Sequence, residues 1–62
     1  MNFKLKQKII EKFGSQIRFA RVVGEPETIV SKVVRGWRII SSDKQNKWAK
    51  VLKCKVDDVF NE

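Results

Sequence analysis

Three glycines, Gly14, Gly24 and Gly36, divide the first 36 residues of this 62-residue chain into segments long enough only for short helices or strands. The apolar residues between them decide which. Leu5, Ile9, Ile10 and Phe13 recur at helical spacing with Lys4, Lys6, Lys8 and Lys12 interleaved. That pattern predicts an amphipathic helix of about ten residues, which Gly14 ends. Ser15 can cap a second helix, over about residues 15–23, with Phe19, Ala20 and Val23 on its inner face and Gly24 as its stop. Pro26 suits the first turn of a third helix, over about residues 26–35, because its missing N–H would be unpaired there in any case. Ile29, Val30, Val33 and Val34 supply its apolar side and Gly36 closes it. The β-branched run from Thr28 to Val34 would equally read as a strand in isolation, so its helical assignment depends on its neighbours.

Beyond Gly36, Trp37 to Ile40 form a connector whose apolar end is expected to tuck against the core. Ser41 or Ser42 caps a fourth helix, and Ser42 with Gln45 has the spacing of a capping box. Trp48, Ala49, Val51 and Leu52 give that helix a buried face, while Lys44, Lys47, Lys50 and Lys53 form a solvated one. A last turn from Val56 to Phe60 begins with Asp57 and Asp58, where the helix dipole favours carboxylates. The expectation is a single all-α domain over residues 1–62, a compact bundle of about five short helices.

Composition narrows the function. Fourteen Lys and Arg against seven Asp and Glu leave a formal charge of +7. The excess lies early: residues 1–24 hold Lys4, Lys6, Lys8, Lys12, Arg18 and Arg21 against Glu11 alone. Such self-repulsion is relieved on a polyanion, although lysines also make ordinary solvated faces. A lone Cys54 cannot close an internal disulfide, and without histidine there is no plausible zinc quartet. Cys54 reads as a small buried hydrophobe in a reducing compartment. No Ser-Lys or carboxylate constellation converges, so an enzyme is not expected, nor a cofactor, metal or small-molecule substrate. No apolar run reaches the roughly 20 residues of a membrane span, and the lysine-rich start lacks a signal core. The expected location is the cytoplasm.

The spacing from Ser15 to Gly36 has a physical logic. Ala20, four residues before Gly24, lets two helices approach; Gly24 permits the bend; Val23, Val30 and Val33 fill the wedge. A third helix carried outward in this way fits the major groove of B-DNA. These residues resemble the lambda-repressor-like helix-turn-helix family, the Cro and XRE-type regulators of bacteria and their phages. The resemblance runs through Gln16, Phe19-Ala20, Gly24, Val30-Ser31, Gly36, Arg38, Ile40-Ser41, the Trp48-Ala49-Val51-Leu52 helix and the tail from Cys54 to Phe60.

The resemblance implies a helix-turn-helix whose recognition helix is the third, in a repressor-like transcriptional regulator of bacterial, phage or prophage origin, acting on the bacterial nucleoid. It implies that Glu27, Thr28 and Ile29 read bases, with Lys32 a turn further on. It places Gln16, Arg35, Arg38 and Ser41 on phosphates. Double-stranded DNA is then the partner, bound as a homodimer on a palindromic operator. No separate dimerisation domain follows residue 62, so a dimer would use the domain's own surface, with Trp37, Val56, Val59 and Phe60 as candidates; a fragment of a longer protein is the other possibility. Three residues depart from the family pattern: Glu25 stands where an apolar residue is usual, Pro26 where Ser or Thr often caps, and Lys53 where glycine is common. Glu27 has two readings, acceptor for a cytosine amino group or simple complement of the helix dipole. Trp48 reads as core; Trp37 is open between core and surface. The competing function is a protein-interaction module, such as an antitoxin-like or anti-repressor subunit built on the same fold.

Overall fold

The structure, a computed structural model, describes residues 1–60. Five helices follow one another: α1 (Phe3–Phe13), α2 (Gln16–Val23), α3 (Glu27–Arg35), α4 (Ser42–Val51) and α5 (Val56–Phe60). No strand occurs among the described residues. The β-branched run in α3 is helical because Val30, Val33 and Val34 find a core to enter, which outweighs their weak intrinsic propensity. The helices enclose one core about Trp48, Phe19, Leu5, Ile9, Leu52 and Val30, all with no exposed surface. α2 is central, packing on α1, α3 and α4, while α1 and α4 both rest on α5. The whole measures 23 × 23 × 20 Å.

Helix ends determine the path of the chain. Ser15 caps α2, its hydroxyl accepting from the Arg18 amide at 3.3 Å. Gly24, at φ +75°, turns the chain out of α2 with the Glu25 amide bonded to Ala20 O at 3.0 Å. Gly36, at φ +82°, ends α3 by a Schellman motif: its amide reaches Val33 O at 3.1 Å and the Trp37 amide reaches Lys32 O at 2.9 Å. The same motif ends α4, where the Lys53 amide reaches Lys50 O and the Cys54 amide reaches Ala49 O, both at 3.0 Å. Lys53 occupies the left-handed position at φ +56°, so a lysine adopts the conformation that glycine takes most readily.

Several expectations about individual residues change. Pro26 is the N-cap of α3 rather than part of its first turn, with its carbonyl accepting from the Ile29 and Val30 amides. Ser41, not Ser42, caps α4 through the Lys44 amide at 3.3 Å. The Ser42–Gln45 capping box therefore does not form; Gln45 instead donates to Ile40 O at 3.4 Å. Ile10 leaves the apolar face, because Leu5 and Ile9 already point inward and the next residue is rotated by about 100°. Cys54 is half-buried rather than enclosed. Burial, and then the Asp58 carboxylate, push its thiol pKa up, against the smaller opposing pull of Lys8 and Lys12. In the connector only Ile40 tucks in; Ile39 is 89% exposed.

Trp48 is core, stacked edge-on to Phe19 with ring centroids 5.3 Å apart. Its indole N–H has no hydrogen-bond partner among the described residues. Asn2 was not anticipated. Its amide donates to Val34 O at 2.7 Å, its Oδ1 caps α1 by accepting from the Leu5 amide at 3.0 Å, and its Nδ2 donates to Val59 O. One residue thus ties the start of α1 to the end of α3 and to α5.

Candidate nucleic-acid interface

The sequence-selected residues fall on α3, on the connector after it, and at one end of α2. α3 turns Val30, Val33 and Val34 inward, which leaves Glu27, Thr28, Lys32 and Arg35 exposed. Thr28, Lys32 and Arg35 are spaced by four and three residues, so they form one stripe along the helix. Glu27 lies in the first turn of α3, where the backbone N–H groups are unpaired and a carboxylate complements the dipole. Ile29 is half-buried and packs partly on the core, so only part of its side chain faces outward. Gln16 is half-buried at the first residue of α2.

The connector adds Arg38 and Ser41, both exposed. The Ser41 oxygen accepts from the Lys44 amide, which leaves its hydroxyl proton available to an outside acceptor. Arg38, Ile39, Gln45 and Phe60 border a shallow cavity of about 320 Å³. Arg35 does not extend freely into solvent. Its guanidinium carbon lies 5.3 Å from the centroid of the Trp37 ring, and Trp37 is 71% exposed. Trp37 is thereby assigned to the surface.

No family model, curated protein or solved structure matches this chain. The residues themselves therefore carry the functional argument. Among the described residues, no helix is long and apolar enough to cross a membrane, and no cluster of three or more His, Cys, Asp or Glu is placed to hold a metal ion.

The departures from the expected pattern acquire physical reasons. Glu25, in the turn between α2 and α3, pairs with Lys44 on α4 at 3.0 Å. Its side chain is only 16% exposed, so an acidic group sits where an apolar one is usual because a cation from α4 meets it. Glu25 is thus a bracket between the α2–α3 turn and α4, and its charge is already met within the domain. Of the surface residues considered for a dimer, Val59 is 1% exposed and has no surface to offer a partner. Val56 and Phe60 are half-buried, and Trp37 is open. A separate apolar depression of about 470 Å³ lies on α1 between Phe3 and Ile10, bordered by Lys6, Gln7 and Glu11.

The sequence reading left the Arg35–Trp37 pair unrecognised. The signal was present in the glycine at 36: a Schellman turn brings the residue after the glycine back beside the last helical turn. An arginine at the helix end and an aromatic residue just past the glycine are then neighbours.

Proposed function

We propose that this chain is a sequence-specific double-stranded DNA-binding regulator of the Cro/repressor type. In this reading α2 and α3 are a helix-turn-helix and α3 enters the major groove. The observation that carries it is the division of α3 into a buried valine face and an exposed stripe of Thr28, Lys32 and Arg35, with Arg38 and Ser41 on the connector that follows. A helix with one packed face and one polar, partly cationic face is the element the major groove accepts. The +7 charge supplies attraction to phosphate.

Roles divide by chemistry. Arg35, Arg38, Ser41 and Gln16 hold the backbone; Glu27, Thr28, Lys32 and the outward part of Ile29 face base edges. One such module spans few base pairs, so the functional unit is a homodimer on two half-sites about one helical turn apart. The test is selection from a random duplex library, followed by titration of the enriched duplex at several salt concentrations. Enrichment of an inverted repeat, bound about 10³-fold or more tighter than random duplex, is the expected result. Absence of any enriched sequence overturns the reading.

A further inference from the structure

We infer that Trp37 is a positioning residue for DNA binding: its ring holds the Arg35 guanidinium in place to meet a backbone phosphate. The inference rests on the DNA-binding reading and adds to it a residue that reading does not use.

The argument begins with the α3 terminus. Gly36 at φ +82° and the bond from the Trp37 amide to Lys32 O fold the chain back on the last turn. In such a motif an apolar residue after the glycine commonly packs against the helix. Here the helix side chain three residues before Arg35 is Lys32, which is exposed, and the core beneath is filled by Val30, Val33 and Val34. Trp37 therefore stays outside, 71% exposed, and its ring centroid lies 5.3 Å from the Arg35 guanidinium carbon. A large apolar ring left in water does little for the fold. What it does provide is a flat electron-rich face for a cation on the exposed stripe of α3.

The consequence concerns entropy and geometry. A free arginine loses much rotamer freedom when it docks on phosphate. One already held over an aromatic ring has lost part of that freedom in the unbound protein. The guanidinium carries five N–H donors, and those turned away from the ring can still donate to phosphate oxygens. Ring and phosphate thus use different parts of the same cation.

The test is a double-mutant cycle on the duplex recovered by library selection, with Trp37→Ala, Arg35→Ala, the double variant and Trp37→Phe. Unfolding midpoints are measured for each, and an exposed ring should leave them nearly unchanged. Trp37→Ala should weaken binding about 3- to 5-fold, and Trp37→Phe by less, because a smaller ring still attracts the cation. In the Arg35→Ala background, Trp37→Ala should cost nothing further. The free protein gives a second reading: ring-current shifts on the Arg35 side-chain protons should be present in wild type and lost in Trp37→Ala. Equal losses from Trp37→Ala with and without Arg35 would mean that the ring touches DNA itself, and would overturn the proposal. So would full affinity of Trp37→Ala, or absence of the ring-current shifts. If wild type enriches no duplex, the DNA-binding reading fails and the proposal falls with it; additive losses on a well-bound duplex overturn the proposal alone.

Discussion

Replacing Asn2 by alanine should destabilise the domain more than its place near the chain start suggests. The substitution keeps the backbone bond to Val34 O but removes both side-chain bonds. Loss of the cap on the Leu5 amide costs about 1 kcal/mol. Loss of the Nδ2 donor leaves the Val59 carbonyl without that partner in a partly buried setting, for about another 1 kcal/mol. Together they predict about 2 kcal/mol, a drop in melting temperature of roughly 8–16 °C for a domain of this size. Asn2→Asp separates the two contributions: its carboxylate still caps α1 but cannot donate to Val59, so about half the loss should remain. Denaturant melts followed by circular dichroism measure both variants. If alanine and aspartate each change stability by less than about 0.3 kcal/mol, Asn2 does not bridge α1 and α5. If aspartate matches wild type while alanine does not, the cap alone matters.

Three further outcomes can be checked together. Lys53→Gly should stabilise by about 0.5–1 kcal/mol in the same melts, since glycine takes the left-handed φ without Cβ strain and gives back part of the gain through its freer unfolded state. Glu25→Gln should cost about 0.2–1 kcal/mol at low ionic strength, and the loss should shrink in high salt, because Lys44 is half exposed. Glu27→Gln, assayed by repeating the library selection and titrating the enriched duplex, should change the preferred base at one position, as expected of a carboxylate facing a base edge; tighter binding to every duplex with unchanged preference would leave it only the helix dipole.

Helix positions were largely legible in the sequence, and the reason is local. Glycines at 14, 24 and 36 all adopt positive φ at helix ends, and the apolar spacing between them reports which face turns inward. Phe19, Ala20, Val23, Trp48 and Leu52 could be assigned to the core on periodicity alone. What periodicity could not resolve was competition between adjacent residues for one position. Ile9 and Ile10 are alike in sequence, yet only Ile9 enters the core. Ser41 and Ser42 are alike too, and the choice between them depends on where Ile40 is anchored. The ion pair of Glu25 with Lys44 and the bond of Asn2 to Val59 join residues far apart in the chain, so no local pattern announces them. For the candidate interface, exposure of Glu27, Thr28 and Lys32 followed from the valine spacing. The pairing of Arg35 with Trp37 was legible only through Gly36, whose turn sets the following aromatic residue beside the last turn of α3.

These long-range contacts converge on one helix. At its beginning, α3 is preceded by Pro26 at φ −61° and by Glu25, bracketed to α4. At its end, Val34 O receives the Asn2 amide while Gly36 and Trp37 close the last turn. Between the ends, Val30, Val33 and Val34 are fixed in the core. A nine-residue helix rich in β-branched residues has little helicity of its own, so its rigidity must come from such fastening. Charge on α3 is small, since Glu27 stands against Lys32 and Arg35, whereas the larger cationic excess lies in residues 1–24. In the DNA-binding reading this separates two tasks. Diffuse attraction comes from the supporting helices, and α3, near electrical balance and held at both ends, is left to discriminate by geometry. Binding strength should therefore fall steeply with salt, and Arg35→Ala and Arg38→Ala should flatten that slope on every duplex, while sequence preference should follow substitutions at Glu27, Thr28 and Lys32.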